Sequence, residues 1–236
     1  MPGYIIALLA VCVISSTAFT IVSFNKTLIN LYFKTFSSVM FTILGLLSLY
    51  TLIAKCNELN DNRLIGGFFT VLGLTVCMVG DIILGLPKLE DNRGGSMAVI
   101  VGGASWFFTG HVLYCTTLIV LFGITPWVLA FVIPLSALYT FGNKKIGKLD
   151  YKNLTAGVLL YSIVESLSFA LCASSLIHSF SIAALILTIG FSFFYFSDMV
   201  LMHNYFGEKR RKISIMCHAT YYPAQILIAL SIMFLA

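Results

Sequence analysis

Acidic residues are scarce in this chain. Its 236 residues include nine Asp and Glu against fourteen Lys and Arg, and charged residues make up 10% of the total, where a soluble domain carries about 25%. That shortage excludes a soluble globular protein. With 59% hydrophobic residues, the same composition excludes a disordered chain, a collagen-like repeat, a coiled coil and a disulfide-rich secreted scaffold. The six cysteines show no metal-ligand or disulfide spacing and read as small apolar packers. Ten-residue segments of alternating polarity, the mark of a transmembrane barrel, are also missing. What the sequence holds instead is a series of unbroken apolar runs near the roughly 20 residues that cross a bilayer as a helix. The fold class is therefore all-α: a polytopic membrane helix bundle, read as a single transmembrane domain over residues 1–236.

Apolar runs between charged or Gly/Pro/Asn clusters give eight expected spans, at 3–24, 36–54, 64–86, 97–121, 124–142, 154–176, 181–202 and 213–235. The first is long enough to span and has no basic residue before it, unlike a signal peptide. Lys26 and Lys34 fall between spans one and two, and Lys88 and Arg93 between three and four. Lys144, Lys145, Lys148 and Lys152 follow span five; Lys209, Arg210, Arg211 and Lys212 follow span seven. Only Lys55 and Arg63 lie on the other face, so the odd loops are expected in the cytoplasm and both termini outside. Reading the stretch around Gly123–Pro126 as one long span would put the later basic loops opposite the earlier ones, which supports eight. The net charge of +5 is thus topological. Without aromatic interleaving or a soluble domain it marks no nucleic-acid site, and anionic headgroups are its expected neighbours.

Two halves of four spans are suggested by one offset. Aligning Gly73 with Gly190 also aligns Asp81 with Asp198, 117 residues apart in both cases, and Lys34 and Lys152 stand near the starts of spans two and six. Halves with an even number of spans share an orientation and are related by an axis along the membrane normal. This 4+4 parallel repeat would bring both Asp residues near that axis.

Three acids, Asp81, Glu165 and Asp198, stand inside apolar spans, where an ionised Asp costs about 2.5–3.5 kcal/mol on insertion scales. Polar residues recur beside them at helical spacing: His111 with Tyr114 on span four, Tyr161 with Glu165 and Ser168 on span six, and His218, Tyr221, Tyr222 and Gln225 on span eight. Such stripes are expected to face the bundle interior, where a polar clamp between helices or a substrate cavity would each account for them. Gly66, Gly73 and Gly80 repeat every seven residues on span three and fit a close helix approach. Asp81, Asp198, His111 and His218 could in principle converge on a metal, but no HxxH or HxxxH pair is present, which speaks against a zinc amidase, and no metal is expected. No GxSxG elbow supports a serine nucleophile.

The ordered set Gly80-Asp81, Gly110-His111 with Tyr114, Ser197-Asp198, and Tyr221-Tyr222 with Gln225 resembles the YhhN-like lysoplasmalogenase family of eight-span membrane hydrolases, over most of the chain from span two onward. The family's Lys-Pro pair at the start of span two is here Lys34-Thr35, and Glu165 has no counterpart in its pattern. The resemblance implies hydrolysis of the vinyl ether bond of lysoplasmenyl-ethanolamine or -choline, giving a fatty aldehyde and the glycerophospho-base. It implies a lysophospholipid substrate in the bilayer and a membrane address, endoplasmic reticulum in a eukaryote or inner membrane in a bacterium. The chemistry needs an acid to protonate the carbon remote from oxygen and a carboxylate to stabilise the oxocarbenium ion and deprotonate water, a division like that of paired glycosidase carboxylates. No cofactor is called for. Asp198 is the expected acid and Asp81 the expected base; His111, Tyr114, Tyr221, Tyr222 and Gln225 would orient them. Lys34, Lys88 or Arg93 would lie near the phosphate. The competing reading is a proton-coupled transporter, which would show helices broken by Gly or Pro in paired spans; a non-enzymatic lipid-binding or scaffold protein is a third.

Overall fold

The computed structural model describes residues 1–22, 28–56, 61–86, 97–178, 180–207 and 210–235. Lys26, Lys88, Arg93 and Lys209 lie outside the described residues. Among those described there are helices and no strands. The rods are α1 (Gly3–Val22), α2 (Leu28–Ile53), α3 (Asn62–Gly85), α4 (Met97–Phe122), α5 (Trp127–Ala137 with its continuation), α6 (Thr155–His178), α7 (Ile182–Phe206) and α8 (Arg211–Ser231). All but α5 are, singly, long and apolar enough to cross a membrane. Large apolar side chains such as Ile14, Ile29, Tyr32, Phe68, Leu129 and Ile133 face outward, the reverse of a soluble fold and suited to lipid. This is a multi-pass membrane protein.

The fifth rod runs on through a π-helical turn (Leu138–Gly142) and a short helix (Asn143–Gly147). Pro134 has no N–H to donate within the helix, and neighbouring rods use the carbonyls beside it. The Tyr195 hydroxyl donates to the Leu135 carbonyl at 2.7 Å, and Ser162 Oγ to the Ser136 carbonyl at 3.4 Å. At the junction with α4, Gly123 takes φ +74°, a left-handed position that glycine adopts without strain. This turn separates spans four and five, and the expected count of eight stands. Among the described residues only α5 changes helical type in mid-span, and its counterpart α1 does not.

Besides the fifth rod, which runs past the expected 142 to Gly147, two boundaries differ from the sequence expectation. Helix α2 begins at Leu28, and Lys34, expected in the loop, is buried inside it. A lysine in an apolar run reads as a loop until its counter-charge is known, and here Asp81 on α3 supplies it. Helix α7 runs to Phe206 instead of about 202, because His203 Nε2 pairs with Asn143 Oδ1 at 2.8 Å and Asn143 Nδ2 donates to the Met199 carbonyl at 2.9 Å.

The most extensive packing is of α3 on α4, followed by α7 on α8. The glycine heptad explains the first. A Cβ on Gly66 would meet Leu121, one on Gly73 the Tyr114 ring at 2.4 Å, and one on Gly80 the Phe107 ring at 2.8 Å. Phe107, Tyr114 and Leu121 are themselves seven apart, so large side chains of α4 sit in a glycine groove of α3. In return Gly103 and Gly110 receive Leu84 and Cys77. Three further pairs follow the 4+4 pattern, α2 on α3 as α6 on α7, α1 on α2 as α5 on α6, and α2 on α8 as α6 on α4, whereas among the described residues α1 also packs on α8 and α5 has no comparable contact with α4.

Candidate functional site

Asp81 lies four residues before the end of α3, about 6 Å along the axis at 1.5 Å per residue, and only donors point at it. Lys34 Nζ stands 3.0 Å from Oδ1. Oδ2 accepts from Ser38 Oγ and from the Tyr221 hydroxyl, each at 2.7 Å. Behind Tyr221 the chain continues: Gln225 Nε2 donates to the Tyr221 oxygen at 3.1 Å, and the Tyr114 hydroxyl donates to Gln225 Oε1 at 3.0 Å. The i,i+4 spacing on α8 puts Tyr221 and Gln225 on one face, and Gly73 lets Tyr114 approach. Three of the expected orienting residues thus form one relay that ends on Asp81. Lys34 and Ser38 were not expected there. Ser38 had no sequence signal beyond its i,i+4 spacing from Lys34.

Asp198 belongs to a second cluster. It accepts a hydrogen bond from the Tyr161 hydroxyl. His111 and Glu165 lie beside it, with one ligand-type atom from each of the three groups within 4.8 Å of the others. His111 Nδ1 faces Ser168 Oγ at 3.4 Å. His111 Nε2 and both Glu165 oxygens make no hydrogen bond, although each residue is only 1% exposed. The polar stripe on α6 therefore faces this cluster, as its spacing suggested, and Glu165 acquires a place.

The two clusters repeat one plan. Asp81 on α3 is held by α2 and α8; Asp198 on α7 is held by α6 and approached by α4. Each helix is replaced by the one four positions away in chain order. The plan breaks at one point, the counter-charge. Asp81 has Lys34, whereas among the described residues no Lys or Arg pairs with Asp198 or Glu165.

Aromatic rings separate the clusters. Phe194 packs against His111 at 4.5 Å and Tyr221 at 5.4 Å between ring centroids, and Phe107 stands 5.9 Å from Tyr221. Phe107 also lines an apolar cavity of about 350 Å³ between α4, α6 and α7, whose wall includes Asp198, Tyr161, Gly157 and Tyr205 but not Asp81. The cavity lies at the end of the bundle formed by the last turns of α3 and α7 and the first turns of α4 and α6. Tyr222 packs its ring on Phe19 and Tyr221, and its hydroxyl makes no hydrogen bond. His218 packs at a tilt against Phe19 and Tyr222 and is not part of the Asp198 cluster. Ser197 Oγ donates to the Cys217 carbonyl at 3.0 Å, which ties α7 to α8. All six cysteines are free thiols.

One family model, that of the YhhN family, matches residues 29–232. No curated protein and no solved structure matches the chain.

Proposed function

The chain belongs to the YhhN family, which is associated with hydrolase activity of the lysoplasmalogenase kind, and from that premise we propose that this protein hydrolyses the vinyl ether bond of a lysoplasmalogen. The products are a fatty aldehyde and glycerophosphoethanolamine or glycerophosphocholine. The observation that carries the reading is the apolar cavity of about 350 Å³ with Asp198 in its wall, a size within the range of small-ligand sites. An alkenyl chain fills the apolar part and brings the enol ether against the carboxyl.

Asp198 delivers a proton to the carbon remote from oxygen, and Tyr161, donating to its Oδ2, fixes the orientation of the carboxyl. The oxocarbenium ion that results needs a negative charge nearby and a base for the attacking water. Asp81, held as a fixed anion by Lys34, Ser38 and Tyr221, supplies the charge from outside the cavity, and the Asp198 carboxylate, having given up its proton, is the base that deprotonates the water. The Tyr114–Gln225–Tyr221 relay sets the position of Asp81, His111 lies beside Asp198, and Tyr222 supplies packing under Tyr221. The hemiacetal then collapses to aldehyde and alcohol. The basic odd loops face the cytoplasm in this reading, and the headgroup lies on that side.

The test is aldehyde release by the purified protein in detergent from a 1-alkenyl lysophospholipid, with the 1-acyl analogue as control. Release from the alkenyl lipid alone supports the reading. A folded protein that releases none refutes it and favours proton-coupled transport or lipid binding.

A further inference from the structure

We propose that His111, Glu165 and Asp198 form a binding site for one divalent d-block ion, Zn²⁺ foremost, and that its occupation switches the protein off by taking the Asp198 carboxylate away from substrate. The binding half stands on this cluster alone; the inhibitory half rests on the hydrolase reading above.

Four observations meet at this point. The three groups come from three rods, α4, α6 and α7, and present ligand atoms within 4.8 Å of one another in the bundle interior. Zn–N and Zn–O bonds of about 2.0–2.2 Å place ligand atoms roughly 3.3 Å apart, so the cluster has to contract by about 1.5 Å at most. Glu165 can make that movement because neither of its oxygens has a partner at hydrogen-bond distance, although the equally unpartnered Tyr139 hydroxyl lies near it. Second, His111 is set up as a ligand. Ser168 Oγ donates to the Val164 carbonyl at 3.2 Å and can accept from His111 Nδ1 at 3.4 Å, the tautomer that would leave the bare lone pair on Nε2. A second-shell acceptor of this kind is the usual companion of a metal-bound imidazole.

Third, the charges sum to zero. Two carboxylates and a neutral imidazole around a dication make a neutral assembly, the condition for a stable site in hydrocarbon. Asp81 reaches the same neutrality through Lys34, and the Asp198 cluster has no described lysine or arginine to do so. One nitrogen and two carboxylate oxygens suit Zn²⁺, Mn²⁺, Fe²⁺ or Co²⁺ better than Mg²⁺ or Ca²⁺, which prefer oxygen alone. Fourth, the cavity that includes Asp198 in its wall gives an ion a way in, and the ion then stands where the enol ether would receive its proton.

The experiment measures metal and turnover separately. Chelator-treated protein in detergent is dialysed against Zn²⁺, and metal per chain is read by mass spectrometry. The expected result is one Zn²⁺ per chain, with affinity lowered at least tenfold in Glu165→Gln and in His111→Ala and unchanged in Asp81→Asn. Co²⁺ in place of Zn²⁺ should give the unaltered chain a visible d–d spectrum, a readout that needs no variant to fold. Aldehyde release should fall along the Zn²⁺ binding curve and return on chelation, and whatever rate Glu165→Gln retains should ignore Zn²⁺ at that concentration. No metal retained above buffer, or equal retention by both ligand variants, overturns the site. Binding without loss of turnover, or turnover that requires Zn²⁺, overturns the inhibitory role. A preparation that binds Zn²⁺ as expected but never releases aldehyde defeats the hydrolase reading and leaves the metal site standing.

Discussion

Lys34 and Asp81 form an ion pair at 3.0 Å with both side chains buried between α2 and α3. Removing one partner of a buried pair leaves an uncompensated charge and costs about 3–5 kcal/mol, whereas removing both costs far less. Lys34→Met should therefore lower the unfolding midpoint in detergent strongly, and Lys34→Met combined with Asp81→Asn should recover much of that loss. Equal stability of the single and double variants would show that the pair carries no such energy.

Asp198→Asn keeps an oxygen for the Tyr161 hydroxyl and removes the acid. Aldehyde release should drop by about 100- to 10,000-fold, the range that general acid catalysis contributes, with the melting temperature little changed. Asp81→Asn should also abolish turnover. A near wild-type rate in either variant would end the two-carboxylate mechanism.

Tyr221 is the one relay hydroxyl that both donates to Asp81 and accepts from Gln225. Tyr221→Phe leaves a buried amide hydrogen and a carboxylate oxygen short of a partner, at about 1–3 kcal/mol for an unsatisfied group. Stability and kcat should fall together, and Tyr114→Phe, at the far end of the relay, should lower kcat less.

Gly157 lines the cavity, and a Cβ there would meet nothing within 4 Å. Gly157→Phe should narrow the cavity, raising KM for long-chain lysoplasmalogens while thermal stability stays close to wild type. Gly73→Ala should do the reverse in kind, since its Cβ would stand 2.4 Å from the Tyr114 ring; overpacking costs about 1–3 kcal/mol, read as a lower midpoint.

Span number, helix content and the inward-facing stripes were legible in the sequence because they rest on local signals: run length, glycine spacing and i,i+4 polarity. The Gly66–Gly73–Gly80 heptad and the Tyr161–Glu165–Ser168 stripe both meet the partners such patterns call for. Lys34 was not legible. Its position depends on a charge on another helix, and a scan of hydropathy treats every lysine as a boundary. The grouping of His111 and Glu165 with Asp198, instead of with Asp81 or His218, was hidden for the same reason: which helices become neighbours is decided by side-chain fit across the whole bundle. The full length of α7 was likewise hidden, because Asn143, from another rod, holds its last turn.

The sequence positions of the partners of the two Asp residues imply an order in which the bundle is built. An Asp entering the bilayer alone costs about 2.5–3.5 kcal/mol, but neither has to enter alone. Lys34 and Ser38 are synthesised before Asp81, and His111, Tyr161 and Glu165 before Asp198, so each carboxyl is met by helices already in place. Tyr221 comes 140 residues after the Asp81 it binds. The link from Tyr114 through Gln225 to Asp81 therefore stays open until the last helix arrives, and α8 is the keystone that turns seven inserted helices into a closed site.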